Sequence, residues 1–399
     1  MATTAASVTK QPALHIDKPG LLVGGLALVA LVFLPFATFR ANRIVPGDAV
    51  ALSNALPHSL AIVATLVIAV VAALSLVRSH PLPRLAIGAG ILAFLFVLIG
   101  LSGTHLTPEG DRLARVSPAS GFWLLVFAFG LLVTDALSRL AAGPLIRLLL
   151  LAGFYLVLGG ALAFGLWDDL SLMKEYANRA ASFWNEGRSH LLLAVGSVAA
   201  AILTGVPIGI FCHRAPSMRG AVLNVLNTIQ TIPSMAMFAL LIAPLGWVAA
   251  NVPGASALGI RGIGAAPAFL ALYLYSLLPV VANTIAGLAG VAPDVREAAR
   301  GTGMTSLQRL MKIEFLLALP TILTGVRIVL VQNIGLVTIA ALIGGGGFGV
   351  FVFQGLGQMA ADLVLLGALP TVLLAFSAAV ILDVLIELAS PPPSGGSAR

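Results

Sequence analysis

Charge is scarce in this chain. Only 9% of its 399 residues are Asp, Glu, Lys or Arg, against 59% that are hydrophobic. A soluble domain of this size could not hide so much apolar surface, so long apolar runs with few charges read as membrane spans. Cysteine is nearly absent too. Cys212 stands alone inside an apolar run, which excludes an intrachain disulfide and leaves a reactive thiol or a small buried hydrophobe. There are four lysines (10, 18, 174 and 312), and none follows a glycine. The G-x-x-x-x-G-K-[ST] phosphate loop is therefore missing, and the chain by itself is no nucleotide hydrolase of that type. The six histidines (15, 58, 80, 105, 190 and 213) are scattered without metal-ligand spacing. A membrane enzyme would want such groups clustered.

What remains is a set of apolar runs that are continuous rather than alternating, which excludes an outer-membrane barrel. Helices satisfy their own backbone inside lipid, so the expected fold is an all-α polytopic membrane protein. Ten spans are expected, at 20–39, 57–77, 84–102, 120–140, 146–167, 190–212, 220–243, 264–290, 317–343 and 361–387. Several exceed the ~20 residues a crossing needs, which allows tilt or kinks at Pro233, Pro279 and Pro320. The first run is too long for a signal-peptide core and reads as a retained span. With the N-terminus inside, thirteen basic residues fall in inner segments: Lys10, Lys18, Arg78, Arg84, Arg139, Arg147, Arg214, Arg219, Arg296, Arg300, Arg309, Lys312 and Arg399. Eight fall outside (Arg40, Arg43, Arg112, Arg115, Lys174, Arg179, Arg188 and Arg261). Basic residues favour the cytoplasm, so both termini are expected there, and the net charge of +7 reports inner loops rather than nucleic acid. Trp123, Trp167, Trp184 and Trp247 then lie near outer span ends, where indoles prefer the headgroup layer. The largest outer loop is expected at about 168–189.

One polar island interrupts this pattern. In "PDVREAARGTGMTSLQRLMKIE" (293–314), seven of the residues are charged: Asp294, Arg296, Glu297, Arg300, Arg309, Lys312 and Glu314. Asp294 with Glu297 predicts a helix start and a short helix from Val295 to Arg300. "Gly-Thr-Gly" at 301–303 breaks it. Thr305 with Gln308 predicts a capping box and a second helix from Ser306, which places Leu307, Leu310 and Met311 on one face and Arg309 and Lys312 on the other.

The spacing Glu297-Ala298-Ala299, three residues, Gly303, nine residues, Ile313 resembles the EAA motif of ABC-importer permeases. It departs from the common Ile-x-Leu-Pro ending, since Glu314, Phe315 and Leu316 follow Ile313 and the next Leu-Pro is Leu319-Pro320. With "NTIQTIPSMAMFALL" (227–241), "LALPTILTGVR" (317–327) and "ALIGGGGFGVFVFQGL" (341–356), residues 190–387 resemble permeases that import glycine betaine, choline, carnitine and related osmoprotectants. The resemblance implies a five-helix core of the methionine-type importer fold at 190–387 and an extension of about five helices at 20–189. A cytoplasmic tail at 1–19 and a disordered tail at 388–399 complete the division. It also implies that Glu297, Ala298, Ala299, Gly303, Leu307 and Leu310 meet a separate cytoplasmic ABC ATPase. ATP is then used by that partner and no cofactor is bound by this chain. Further implied partners are a second permease subunit, the same or different, a periplasmic or lipid-anchored substrate-binding protein, and membrane lipids.

Candidate pathway residues are Asn227, Gln230, Thr231 and Ser234, spaced to share a helix face, with Ser276 and Asn283 on another. Interhelical hydrogen bonding is an equal reading for the first group. Gln332 and Asn333 are weaker candidates. Tyr273 and Tyr275 read as packing or as cation–π partners. Gly344, Gly345, Gly346 and Gly347 suggest a hinge or tight turn at the outer gate. Arg327 is the one charge clearly inside a span, expected to snorkel or to pair with Glu314. The alternative function, an ion-gradient-driven secondary transporter of small polar solutes, would want more ionisable groups within the spans.

Overall fold

A computed structural model of the chain describes residues 17–43, 45–111 and 113–390, so most of the tails expected at 1–19 and 388–399 lies outside the described residues; within them, helix already begins at Lys18 and continues to Ala389, which corrects the inner bounds of both tails. The chain divides into two compact units. The first holds residues up to Ala142 and Val157–Lys174, and the second holds Gly143–Leu156 and Glu175 onward.

The first unit contains α1 (Lys18–Phe33), β1 (Ala37–Arg40), β2 (Asp48–Val50), the short α2 (Leu52–Ala55), α3 (His58–Ser75), α4 (Pro81–Leu106), β3 (Arg115–Pro118) and α5 (Ser120–Leu140). The strands form a small antiparallel sheet in the order β2-β1-β3, which the all-helical expectation did not include. The span expected at 20–39 is corrected accordingly. α1 stops at Phe33, because Pro35 disfavours helix in the residue before it, and Ala37–Arg40 pair with β2 and β3 instead. Phe36 and Phe122 meet edge to face at 5.7 Å, in a core that also includes Leu95, Leu98 and Leu125.

At the other end of α1, four charges converge. Asp17 caps the helix by accepting from the Gly20 N–H at 3.3 Å. Its carboxylate also accepts from Arg84 Nη2, and from Arg139 Nη2 at 2.9 Å. Asp135 contacts Arg84 Nε at 3.1 Å and Arg139 Nε at 3.0 Å. Arg84 is only 2% exposed. Burial raises the Asp17 pKa, but the Arg139 hydrogen bond and the charges of Arg84 and Arg139 outweigh it and hold the pKa below the usual value.

α6 (Pro144–Ala163) and α7 (Ser171–Arg214) follow. α7 corrects the loop expected at 168–189. Helix runs through Ser171–Arg214 in two segments joined at a kink at Arg179, whose backbone angles are non-helical. The polar stretch 174–189 is outside the apolar pattern yet consists largely of residues that helices accept.

In the second unit come α8 (Pro216–Thr231), α9 (Ser234–Leu240), α10 (Ile242–Asn251), α11 (Ala265–Ala289), α12 (Pro293–Gly301), α13 (Ser306–Arg309), a π-helical turn (Leu310–Glu314), α14 (Phe315–Ala340), a 3₁₀ turn (Ala341–Ile343), α15 (Gly349–Gly357) and α16 (Ala361–Ala389). The span expected at 220–243 is broken at Ile232-Pro233, and the apolar segment runs on through Ser234–Asn251. The last-but-one span does not begin at 317. Helix is continuous from Ser306 to Ile343. Pro279 and Pro320 sit within unbroken helices. Among the described residues, nine helices are long and apolar enough to cross a membrane, and α1 is a shorter apolar helix. α14 packs against both α11 and α16, and its contact with α11 buries the centre of the unit, where Leu272, Tyr275, Ile334 and Val337 meet.

Candidate functional site

The polar island is built by two helix starts and one helix termination. α12 begins two residues earlier than its acidic signature suggests. Its N-cap is Ala292, with no side-chain cap, and Pro293 occupies the first turn, where its missing N–H costs nothing. Asp294 thus favours the helix dipole from the first turn instead of capping. At the other end, the Gly303 N–H donates to Arg300 O at 2.9 Å and the Met304 N–H to Ala299 O at 3.3 Å. This is a Schellman termination, with Gly303 at φ +81° in the left-handed position. No atom crowds a Cβ at Gly303, so its glycine is required by backbone angle alone.

The predicted capping box is present. Thr305 N–H donates to Gln308 Oε1 at 2.9 Å, and Gln308 N–H to Thr305 Oγ1 at 3.3 Å. The helix it starts passes through the π turn directly into α14. Of the three apolar residues expected on one face, Leu310 alone is buried, against Leu288, Ala318 and Ile322. Leu307 is 63% exposed and Met311 56%. The extra residue of the π turn lets Leu310 point inward while its neighbours remain at the surface. Arg309 turns back to Glu314, Nε to Oε1 at 2.8 Å, rather than away from it. Arg327 does not reach Glu314 either. Thirteen residues apart on one helix, the two are separated by ~20 Å of rise. Arg327 Nη1 instead contacts Asp383 of α16 at 2.9 Å.

The six residues assigned to ATPase contact therefore divide. Glu297, Ala298, Gly303 and Leu307 are exposed, while Ala299 and Leu310 are buried beneath them. Two arginines without a motif fix this surface in place. Arg296 Nη2 donates to Leu288, Ala289 and Val291 carbonyls at 3.0, 3.2 and 2.8 Å, satisfying the free end of α11. Arg214, at the end of α7, donates to Ser306 O at 3.2 Å. The available signal for both was position, a basic residue within reach of a helix C-terminus.

The pathway candidates are not brought together. Asn227 and Thr231 are exposed on α8, and Ser234 opens α9 beyond the break. The four thus do not share one helix. Gln230 donates to Tyr275 O at 2.7 Å. That carbonyl is the one Pro279 leaves without an i+4 partner, so the glutamine repairs a proline defect in the neighbouring helix. Tyr275 donates its hydroxyl to Ile232 O at the break, and Tyr273 shares a hydrogen bond with Thr204 at 3.1 Å. Asn283 donates to Pro279 O at 2.8 Å. Ser276 is fully buried and accepts from Asn333 Nδ2 at 2.9 Å, as does Ser197 of α7. Asn333 thereby links α7, α11 and α14. Gln332 is half-buried on α14.

The glycine run is a fixed turn. Gly344, Gly346 and Gly347 have φ of +77°, +78° and +89°. Side chains of α7 hold it, Glu186 at Gly347 and His190 at Phe348.

Comparison with known proteins finds two successive matches along the chain. Residues 205–391 match the family described as binding-protein-dependent transport system inner membrane component. Residues 17–173 match the N-terminal domain of the ABC transporter permease YehY. The osmoprotectant import permease protein OsmW of Salmonella typhimurium is 41% identical over 220 residues, 55% of this chain and 94% of its own length. The carnitine transport permease protein OpuCB of Listeria monocytogenes is 36% identical over 186 residues, 47% of this chain and 78% of its own. Among solved structures, an inward-facing MetNI methionine ABC transporter chain aligns at TM-score 0.46 and 18% identity, covering 53% of this chain and 96% of that one. With the capped polar island on an otherwise apolar helical unit, the family match and the similarity to OsmW place the chain in a known class: it belongs to the inner membrane components of binding-protein-dependent transport systems, the permeases of ABC importers.

Proposed function

We propose that this permease imports osmoprotectants, glycine betaine or related quaternary ammonium solutes, with energy delivered by a separate ATPase through residues 293–314. The observation that carries the coupling reading is the construction of that segment. Its exposed residues, Glu297, Ala298 and Leu307, stand on a backbone held by a Schellman turn, a capping box and the Arg296 clamp. A rigid, partly apolar surface is what a docking partner can push against. The substrate class rests on the relatives, whose names include osmoprotectant, carnitine, choline and glycine betaine transport.

In this reading the chain is a multi-pass protein of the cell inner membrane with both termini in the cytoplasm. Cytoplasmic ABC ATPase subunits use ATP, and no cofactor binds this chain. A second permease copy or a different permease completes the pathway, and a periplasmic or lipid-anchored binding protein delivers the solute. Asn227, Gln230, Thr231, Ser234, Ser276 and Asn283 remain the proposed lining, with Gly344–Gly347 as an outer-gate element.

The test is uptake of labelled glycine betaine by the chain co-reconstituted with its ATPase and binding protein. Glu297→Lys and Gly303→Asp should each lower ATP-dependent uptake at least roughly tenfold, because one reverses a surface charge and the other strains a left-handed residue. Unchanged uptake in both variants would remove the coupling role. Uptake by the chain alone, driven by an ion gradient without ATP, would replace the whole reading with a secondary carrier.

A further inference from the structure

The glycine turn has an unusual arrangement of hydrogen bonds where it enters α15. The Gly347 N–H donates to Glu186 Oε2 at 2.7 Å, and the Phe348 N–H donates to His190 Nδ1 at 3.2 Å. Both acceptors are side chains of α7, more than 150 residues earlier in the chain. They satisfy amides that a helix start leaves without partners. The carboxylate also lies where the positive end of the α15 dipole favours it. His190 is fully buried, and its Nε2 lies 3.0 Å from Ile334 O on α14. Because Nδ1 accepts, Nε2 carries the proton and donates to that carbonyl, so the ring is neutral and both nitrogens are committed. The Phe348 ring packs 5.2 Å from the imidazole and 5.1 Å from Phe183, also on α7. A Cβ at Gly346 would come within 3.0 Å of Glu186 Oε2, and one at Gly347 within 3.1 Å of His190 Nδ1. The positive φ values of the turn and the close approach of α7 thus require glycine for separate reasons.

The turn also sits at the far end of a long rigid element. From Ser306 to Ile343 the chain is helical without interruption, 38 residues or about 57 Å of rise. Its first residue is held by Arg214 at one end of α7, Asn333 in its last third is held by Ser197, and Ile334 beside it and Phe348 just beyond its end are held by His190. α7 therefore holds the rod near both ends, and the hold at the glycine end is made by two side chains on a turn of left-handed glycines.

We propose that Glu186 and His190 are positioning residues of the transport cycle: together they latch the 344–349 turn onto α7, and motion of the Ser306–Ile343 rod releases it. The proposal rests on the coupling reading of residues 293–314, since that segment is the start of the rod. Neither residue touches solute. Their task is to keep the turn closed until the rod moves.

The experiment uses the full chain assembled with its ATPase and binding protein in nanodiscs. Amide hydrogen exchange is followed for peptides covering 344–351. Glu186→Ala and His190→Ala should speed exchange there roughly tenfold or more, the factor a charge-assisted or buried backbone bond commands. Glu186→Gln and His190→Asn keep an acceptor near the same place and should stay within about threefold of the natural protein. Protection of Cys212 from thiol reagents verifies that each variant is folded. In parallel, the ratio of ATP hydrolysed to solute imported should rise severalfold in Glu186→Ala and return in Glu186→Gln. A purely structural role would lower hydrolysis and uptake together and leave the ratio alone. Unchanged exchange in both alanine variants, or an unchanged ratio across the set, overturns the latch. Glu297→Lys run alongside separates the two ideas: if it spares uptake, the coupling reading fails, while exchange at 344–351 still decides whether α7 latches the turn.

Discussion

Replacing Asn333 by leucine should leave the second unit as stable as before or slightly more so, although the residue is fully buried and joins three helices. Its Nδ2 donates to Ser197 and Ser276 hydroxyls, both at 2.9 Å, with Leu272 O at 3.5 Å. Interhelical hydrogen bonds in membrane proteins average about 0.6 kcal/mol, so losing two costs about 1.2 kcal/mol. On the other side, Asn333 Oδ1 is buried and accepts no hydrogen bond. Removing an unsatisfied buried acceptor returns about 1–3 kcal/mol. Neither serine is orphaned by the change. Ser197 still donates to Leu193 O at 2.6 Å and Ser276 to Leu272 O at 2.8 Å. Leucine fills a similar volume, so no cavity opens. The net expectation lies between about zero and 2 kcal/mol of stabilisation.

The converse substitution should behave differently. Ser197→Ala with Ser276→Ala keeps the amide and removes its two good acceptors, which costs about 1–3 kcal/mol. Cys212 provides the assay, because it is the only cysteine and is fully buried. A thiol-reactive dye therefore reports unfolding on heating, and about 1 kcal/mol corresponds to roughly 2–4 °C for a unit of this size. Asn333→Leu should match or exceed the natural midpoint, and the double serine variant should melt several degrees lower. If Asn333→Leu instead melts more than about 8 °C lower while the serine pair is neutral, the assignment of Oδ1 as the costly atom is wrong.

Other outcomes follow from the same reasoning. Arg84→Met leaves the buried Asp17 and the half-buried Asp135 with one cation between them and should destabilise the first unit by about 3–5 kcal/mol, read as faster amide exchange across α1. Arg139→Met, at a site 27% exposed, should cost less than half of that in the same measurement. Gly349→Ala places a Cβ 1.9 Å from the Thr338 carbonyl oxygen and should lower the Cys212 melting midpoint sharply, whereas Gly130→Ala meets nothing within 4 Å and should stay within about 0.5 kcal/mol of the natural protein. Arg327→Leu strands the half-buried Asp383 among apolar helices and should reduce the amount of protein recovered from membranes; exchanging the pair, Arg327→Asp with Asp383→Arg, should restore it.

Much of the helical frame is legible in residue order because hydropathy reports which segments lipid accepts. The span expected at 120–140 coincides with α5, and 264–290 and 361–387 lie within two residues of α11 and α16. The Thr305–Gln308 box was readable because capping chemistry is local. Hydropathy does not report where helix stops, however. Residues 171–189 are too polar for lipid and still helical, and Ser306–Glu314 continue into a span whose apolar run starts later. The break at Ile232-Pro233 was visible as a proline, but its meaning depends on Tyr275, whose hydroxyl reaches the Ile232 carbonyl. Gln230 was chosen for its polarity. Its actual partner is a carbonyl that a proline on another helix has orphaned, a relation no local pattern contains. Glu186 and His190 escaped notice for the same reason, since the amides they hold lie more than 150 residues away.

The cluster of Asp17, Arg84, Asp135 and Arg139 acts at two different times. A chain entering the bilayer is oriented by its lysines and arginines, while acids contribute little. Before α1, α4 and α5 have met, Arg84 and Arg139 are therefore full topological signals. Once the helices assemble, two carboxylates cancel them, and the same guanidinium groups become a stitch holding three helices at one end. The mature protein consequently displays less exposed charge at that end of the helices than the nascent one did. Substituting Asp17 or Asp135 by its amide should loosen the assembled bundle while leaving the direction of insertion untouched.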